Sequence, residues 1–166
     1  PMNLSTIRKT DLIALVSVAV GIGGFQIARG GYLEGVDAYK RGDYKTALKE
    51  FRFLAERGNA DAQFNLGRMY NKGEGLRQSH REAAKWFRKA AERGHAASQL
   101  HLGVLYATGN GVIQDYVLAH MWFNLSSANG EKGAAQARER VEEPMTSPQV
   151  AEAQRLARAF LAKKKK

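Results

Sequence analysis

Residues 60–94 read ADAQFNLGRMYNKGEGLRQSHREAAKWFRKAAERG, and residues 96–130 read AASQLHLGVLYATGNGVIQDYVLAHMWFNLSSANG. Aligned without a gap, the two stretches share twelve identical residues at a spacing of 36. Self-similarity at a fixed period of this length is typical of solenoids, in which each repeat is one supersecondary unit. The sequence therefore predicts an all-α solenoid of stacked antiparallel helix pairs.

Each repeat has the pattern of two helices joined by a glycine-containing loop. In 60–94, the first helix is predicted over about 60–71, where apolar or small residues follow an i, i+4, i+7, i+8 stripe. The second helix is predicted from about His80 to Arg93, with Phe87 on its apolar stripe. Gly94 follows directly, as glycine often does just beyond a helix C-terminus.

Helix caps repeat with the same period. Asp43, Ser79 and Asp115 are 36 residues apart, and each precedes a predicted second helix. Side-chain oxygens of these residue types accept hydrogen bonds from N–H groups of the first helical turn. Glu82 stands three residues after Ser79, which is the pattern of a capping box. Cap, apolar stripe and terminal glycine therefore repeat in phase.

The outer units are irregular, as expected for the ends of a solenoid. The first unit lacks five loop residues, because Tyr39 and Ala47 are eight positions apart where the full repeats have thirteen. A helix is predicted over 131–143, and a last helix follows a capping box of Thr146 and Gln149. The predicted solenoid spans 30–162, residues 163–166 form a basic tail, and the units are about 35–58, 59–94, 95–130 and 131–162.

These residues closely resemble the Sel1-like repeat, a relative of the tetratricopeptide repeat with a longer loop. The matching positions in the two full repeats are Leu66, Gly67, Tyr70, Gly73, Gly75, Trp86, Leu102, Gly103, Tyr106, Gly109, Gly111 and Trp122. The match is partial over 35–59 and weak after 131. The resemblance, which extends to exported bacterial proteins of this arrangement, implies a solenoid adaptor that acts in protein–protein contacts.

The resemblance also implies where a protein partner binds. In related solenoids, the first helix of each unit lines the concave face. Its positions outside the core predict five partner contacts, which are Asn65, Arg68, Lys72, His101 and Val104. An ordinary solvated helix face is the alternative interpretation of the same positions. The identity of the partner does not follow from the sequence.

An uncharged apolar run, residues 12–28, precedes the solenoid and follows Arg8 and Lys9. This is the layout of a signal peptide over 1–29, although no cleavage site is well placed. The same run predicts a transmembrane anchor equally well, since seventeen helical residues rise about 26 Å against a hydrocarbon core of about 30 Å. Either hypothesis places the protein in a bacterial cell envelope, anchored in the inner membrane with the solenoid in the periplasm, or secreted to the periplasm.

Small residues in this run favour the anchor. Five of them follow a 3-4-3-4 spacing that puts them on one stripe of a helix, namely Ala14, Ser17, Gly21, Gly24 and Ala28. Stripes of small residues let membrane helices approach closely. The stripe predicts packing against a transmembrane helix of a membrane complex. Chance is the alternative, because small residues are common in this segment.

The sequence has no pattern typical of a catalytic, cofactor or metal site. It contains no Cys, which excludes disulfides, Cys-ligated zinc and a thiol nucleophile. The four His residues lack the close spacing of metal ligands. Gly73 and Gly75 lack the third glycine and the preceding strand of a phosphate-binding loop. We predict a non-enzymatic protein without a cofactor; the alternative is an envelope enzyme acting on peptidoglycan or β-lactams.

The formal net charge of +10 restricts the partners that the chain attracts. Basic residues concentrate in 68–93 and in the terminal run 163–166. Such a charge favours anionic lipid, an acidic protein surface or nucleic acid. The alternative is a solvated basic face with no partner. Nucleic acid is the least expected of these, because export would separate the protein from it.

Overall fold

The computed structural model describes residues 31–164, and the regular secondary structure in this range is helical throughout. Helix α1 covers residues 31–40. Seven helices follow, namely α2 (Tyr44–Glu56), α3 (Ala60–Lys72), α4 (His80–Glu92), α5 (Ala96–Thr108), α6 (Tyr116–Ala128), α7 (Ala134–Glu142) and α8 (Ser147–Lys164). The predicted all-α fold is confirmed. The predicted leader over 1–29, its small-residue stripe and the last two lysines lie outside the described residues.

The helices of the first three units form consecutive pairs, and α7 and α8 both pack on α6. The closest packing joins the two helices of a full repeat, α3 with α4 and α5 with α6, and α4 packs on α5 to join the repeats. The first helices of the units, α1, α3, α5 and α7, form one surface, which we call the A face. The second helices, α2, α4, α6 and α8, form the opposite surface, which we call the B face.

In each of the first three units, one phenylalanine fills the space between the paired helices. Phe51, Phe87 and Phe123 recur every 36 residues and are at most 2% exposed. Each ring lies against a glycine of the first helix, and a Cβ added at Gly67 would be 2.7 Å from the Phe87 ring. The glycine at this repeat position is therefore required by the close approach of the ring.

Replacing Gly67 with alanine is expected to lower the free energy of unfolding by about 1–3 kcal/mol, because overpacking outweighs the helix propensity gained, about 1 kcal/mol. Urea unfolding followed by circular dichroism measures this loss. The double variant Gly67→Ala/Phe87→Leu is the control, since a smaller side chain relieves the contact. A double variant whose loss equals the sum of the two single losses would show that the ring contact is not the cause.

The loops within the two full repeats pack on the preceding second helix. A Cβ at Gly75 would lie 2.6 Å from the Cβ of Tyr44, and one at Gly111 would lie 2.3 Å from the backbone of His80. Both glycines also have a φ of +74°, which other residues rarely adopt. These signature glycines therefore serve the packing of interhelical loops.

The predicted caps form at all three second helices. The side-chain oxygens of Asp43, Ser79 and Asp115 accept hydrogen bonds from the backbone N–H three residues on, at 3.1, 3.2 and 2.9 Å. The full capping box at Ser79 does not form. The Glu82 carboxylate instead contacts the Lys85 ammonium at 2.6 Å, and the Ser79 N–H donates to a carbonyl of α3.

The helices at the two ends of the solenoid refine the approximate unit boundaries. Helix α1 is formed from residue 31, within the predicted solenoid that starts at 30. Helix α7 begins only at Ala134, because Gly133, with a φ of +81°, turns the chain before it. Helix α8 extends to Lys164, two residues past the predicted solenoid end. None of the helices in 31–164 combines the length and the apolar character that crossing a bilayer requires.

Candidate partner-binding site

The fold brings the five predicted partner contacts to the A face. Helix α3 carries Asn65, Arg68 and Lys72, and helix α5 carries His101 and Val104. Because the repeat period is 36, Asn65 and His101 occupy equivalent positions, as do Arg68 and Val104. The contacts of these five side chains differ, however, and the differences show which part of the face is open to a partner.

The polar residues of α3 bind groups of α1 and of the following loop. The Asn65 amide donates to the Tyr32 hydroxyl at 3.2 Å, and the Arg68 guanidinium donates to the Tyr39 hydroxyl at 3.4 Å. The Tyr39 hydroxyl in turn donates to Glu74 at 2.7 Å. Burial, assisted by this bond to a carboxylate, raises the pKa of Tyr39. These side chains therefore fix α1 against α3.

Charges on this part of the A face are paired within the molecule. The Lys72 ammonium lies 3.6 Å from the Glu74 carboxylate. The Arg68 guanidinium carbon lies 5.4 Å from the ring centroid of Tyr39 and 5.7 Å from that of Phe64. An arginine over aromatic rings is held by the negative faces of the rings. Both cations thus contribute to internal packing as well as to surface charge.

His101 is an internal packing group. Its ring stacks on Phe87 with centroids 5.1 Å apart and planes inclined by 14°. Burial lowers the pKa of His101, and the nearby Arg68, His95 and Lys72 lower it further. The side chain is therefore neutral at pH 7 and contributes an aromatic surface, without charge, to the centre of the A face.

Val104 is the exposed apolar residue among the five predicted contacts. It is 41% exposed, which is high for a branched apolar side chain in a folded repeat. Beside it, a cavity of about 370 Å³ lies between α5 and α7, and we call this cavity the Val104 groove. Its wall is mainly apolar, with Arg140 at its edge, and its principal lining residues are Val104, Ala107, Phe123, Ala137, Val141 and Pro144.

Sequence reasoning missed the residues that complete this face. Tyr32 and Tyr39 come from α1, and Val141 and Pro144 come from the last unit. The shorter loop of the first unit shifts Tyr32 and Tyr39 out of the 36-residue phase. Val141 and Pro144 lie in phase, 36 residues after Leu105 and Thr108, so the period could have assigned them to the A face. Only the aromatic residues near a predicted first helix could have indicated that α1 packs through tyrosine.

A hydrogen bond between an arginine and the signature tyrosine also repeats every 36 residues. The Arg52 guanidinium donates to the Tyr70 hydroxyl at 3.1 Å, and 36 residues later Arg88 donates to Tyr106. Each bond joins the second helix of one unit to the first helix of the next. The signature tyrosines therefore help to set the stacking of consecutive units.

Among residues 31–164, no three His, Asp or Glu side chains are grouped as ligands of a metal ion would be. The buried imidazole of His120 contacts the Glu142 carboxylate at 3.0 Å, and this pair ties α6 to α7. Among the described residues, the buried Gln63 Oε1 and His120 Nδ1 have no hydrogen-bond partner. The Val104 groove is the apolar cavity of the A face, and a second apolar cavity lies beside Trp86 and Val112 on the side of α4.

Comparison with known proteins agrees with this architecture. The Sel1 repeat family matches residues 60–95 and 96–131. The crystal structure of c5321, a protective antigen of uropathogenic Escherichia coli with an SLR fold, is similar with a TM-score of 0.78 and 31% identity. That similarity covers 93% of this chain and 33% of the antigen, so this chain spans about a third of it.

A Sel1 repeat protein of Oxalobacter formigenes is similar with a TM-score of 0.67 and 28% identity, over 78% of this chain and 55% of that protein. No curated protein sequence matches the chain. Sel1 repeats generally mediate protein–protein interactions. Residues 60–131 of this chain are two Sel1 repeats and belong to the Sel1 repeat family.

Proposed function

We propose that the chain is a non-catalytic scaffold that binds a protein partner on its A face, with the Val104 groove as the anchor point. Repeat proteins usually bind along the extended surface that their stacked units create. The exposed Val104 beside an apolar cavity is the observation that carries the proposal. Apolar anchors seated in such pockets typically dominate the energy of a protein interface.

The surroundings of the groove suit a partner segment with an apolar side chain and an acidic neighbour. The exposed Arg140 stands at the groove edge, and arginine is enriched at protein interfaces. Arg68, one unit away, adds a second positive charge to the A face, whereas the charge of Lys72 is paired with Glu74. The hydrogen bond of Arg68 to the Tyr39 hydroxyl holds its guanidinium in place, which reduces the entropy lost when a partner binds.

The proposal also includes the location of the scaffold in the cell. The apolar run 12–28 either anchors it in a membrane or directs its export, so the solenoid operates in the bacterial envelope. In the anchored form, the stripe of small residues ending at Ala28 would pack against a membrane helix of the same complex.

The test compares how much partner protein co-purifies with two variants of equal charge. Val104→Asp is expected to lower the recovery of the partner from detergent-solubilised membranes at least tenfold, because an isolated carboxylate in an apolar groove is costly to bury. Mass spectrometry of the purified sample identifies the partner and also the mature N-terminus. The latter decides between a signal peptide and an anchor.

Ile113→Asp is the control, since Ile113 is 90% exposed, lies in the loop between α5 and α6, and borders a cavity with Arg88 of α4, away from the Val104 groove. It introduces the same charge and is expected to keep the partner. Equal recovery with Val104→Asp and with the unaltered protein would refute the Val104 groove as the anchor. Loss with both variants alike would indicate that charge, and not the groove, controls the association.

A further inference from the structure

The B face carries many exposed basic residues on α2, on α4 and on the residues that flank them, and we call this set the basic field. On α4 and the loop before it, six positions are basic, and all six are exposed, namely Arg77, Arg81, Lys85, Arg88, Lys89 and Arg93. Five of the six equivalent positions 36 residues earlier are also exposed Arg or Lys, and the sixth is Phe53. Each helix is about 20 Å long, so the basic field extends about 20 Å along the helix axes and also across both helices.

The same positions one repeat later are uncharged. Met121 and Leu125 replace Lys85 and Lys89, and both are buried. They belong to the core to which α8 contributes, and α8 packs directly on α6. Thus the B face is apolar where another helix covers it and basic where it meets solvent. The basic field is a property of the uncovered part alone.

The field is continuous from α2 to α4. Arg57 at the end of α2 and the residues Lys89 and Arg93 of α4 line one cavity of about 520 Å³. A neighbouring cavity of about 420 Å³ places Lys85 beside the half-buried Trp86 and the loop residue Val112. Helices α2 and α4 together carry seven basic and four acidic residues, so their net charge is positive. Three carboxylates also line these two cavities, namely Glu56, Glu82 and Glu92.

Exposed apolar side chains stand among these bases. Ile113 is 90% exposed and shares a cavity with Arg88, and Phe53 is 42% exposed under the Arg57 guanidinium. The phosphate backbone of nucleic acid has no apolar region that could bury an isolated aliphatic side chain. The interface of a bilayer has one, because apolar side chains insert there while the charged groups of Lys and Arg stay near the lipid phosphates.

From this combination we infer that the basic field of α2 and α4 docks on an anionic lipid bilayer, with Ile113 and Phe53 inserted at the interface. This contact goes beyond the proposed scaffold function and leaves the A face pointing away from the lipid, toward a partner. Clustered basic residues bind anionic membrane surfaces through charge, and the attraction falls off within a Debye length. Docking therefore depends on anionic lipid and on low salt.

Vesicle association alone does not test the inference, because the apolar run 12–28 can partition into any bilayer. The test instead measures how close the B face of the full chain lies to the bilayer. The chain has no Cys, so Ile113→Cys accepts a single environment-sensitive dye. Quenching of that dye by brominated lipid is measured in mixed phosphatidylglycerol–phosphatidylcholine vesicles and in pure phosphatidylcholine vesicles. Val104→Cys, on the A face, is the matched control position.

We expect quenching at position 113 in the mixed vesicles, little in the neutral ones, and little at position 104 in either. Neutralising two bases in Arg81→Gln/Lys85→Gln should lower the docked-to-undocked ratio roughly thirtyfold. The control Lys132→Gln/Arg138→Gln removes equal charge from residues of the last unit, outside the basic field, and should leave the quenching unchanged. Salt at about 1 M, where the Debye length is about 3 Å, should abolish it.

Equal quenching at position 113 in both vesicle types, or equal loss with both double variants, would overturn the inference. Salt-sensitive binding of a duplex oligonucleotide, lost in Arg81→Gln/Lys85→Gln, with no quenching by mixed vesicles, would assign the field to nucleic acid instead. Partner recovery by the Val104 groove is measured separately. Failure of one proposal is thus distinguishable from failure of the other.

Discussion

Replacing Phe87 with alanine is expected to lower the free energy of unfolding by about 3–5 kcal/mol, which is the usual cost of emptying the site of a fully buried phenylalanine. Phe87 is 0% exposed, lies against Gly67 and stacks on His101. It therefore joins both helices of its own repeat to the next one. Few residues nearby can collapse into the space, because the backbone at Gly67 is held in a helix.

Urea unfolding of the full chain in mild detergent, followed by far-ultraviolet circular dichroism, measures this loss. Phe53→Ala is the matched control, because Phe53 is 42% exposed and the Arg57 guanidinium lies over its ring. Its expected cost is about 1 kcal/mol or less. If the two variants lost the same stability, the phenylalanine in the interior of the repeat would not be the element that holds the helix pairs together.

The second large effect distinguishes two tryptophans at the same repeat position. Trp122 is 6% exposed, and its ring meets Phe160 of α8 edge to face at 5.4 Å. Trp86, 36 residues earlier, is only half-buried, with the Lys89 ammonium 4.1 Å from its ring centroid. Trp122→Ala is expected to cost about 3–5 kcal/mol and Trp86→Ala about 1–2 kcal/mol less.

The difference between these two variants tests the role of α8. Denaturant midpoints of both variants, measured under the same conditions, give the two losses. Phe160→Ala, which removes the α8 partner of Trp122, provides a further check because it should reduce the cost of Trp122→Ala in the double variant. Equal costs for the two tryptophans would contradict the packing of α8 on α6.

Much of the fold could be predicted from sequence because the repeat carries its own packing rules. Phe87 and Phe123, with Gly67 and Gly103 beneath them, show the period and the core at once. The caps at Asp43, Ser79 and Asp115 mark the second helices almost to the residue. Each of these signals is local or repeats exactly one unit away, so reading it requires no knowledge of distant contacts.

The open part of the A face could be predicted only in part. Val104 was identified from its phase with Arg68, and the same period extends to Arg140 at the edge of the groove and to Val141 in its wall, 36 residues after Leu105. By contrast, the hydrogen bond of Arg68 depends on Tyr39, which belongs to the shortened first unit. Contacts between an in-phase and an out-of-phase unit depend on tertiary geometry, which the period does not encode.

The sequence also contains a signal that distinguishes the covered part of the B face from its exposed part. Lys85 and Lys89 are replaced by Met121 and Leu125 at the equivalent positions of the next repeat. A change from charged to apolar at the same position of a repeat indicates that the second copy is covered. The sequence therefore contained a signal for the packing of α8, and that signal is also what defines the basic field.

Hydrogen exchange of the full chain, with and without the partner that the Val104 comparison identifies, tests most directly whether the A face is the binding surface. We expect added protection in α5 and α7 around the Val104 groove, and no change in the exposed turns of α4. Protection confined to α4 and its loops, with α5 and α7 unaffected, would contradict the proposed scaffold function of the A face.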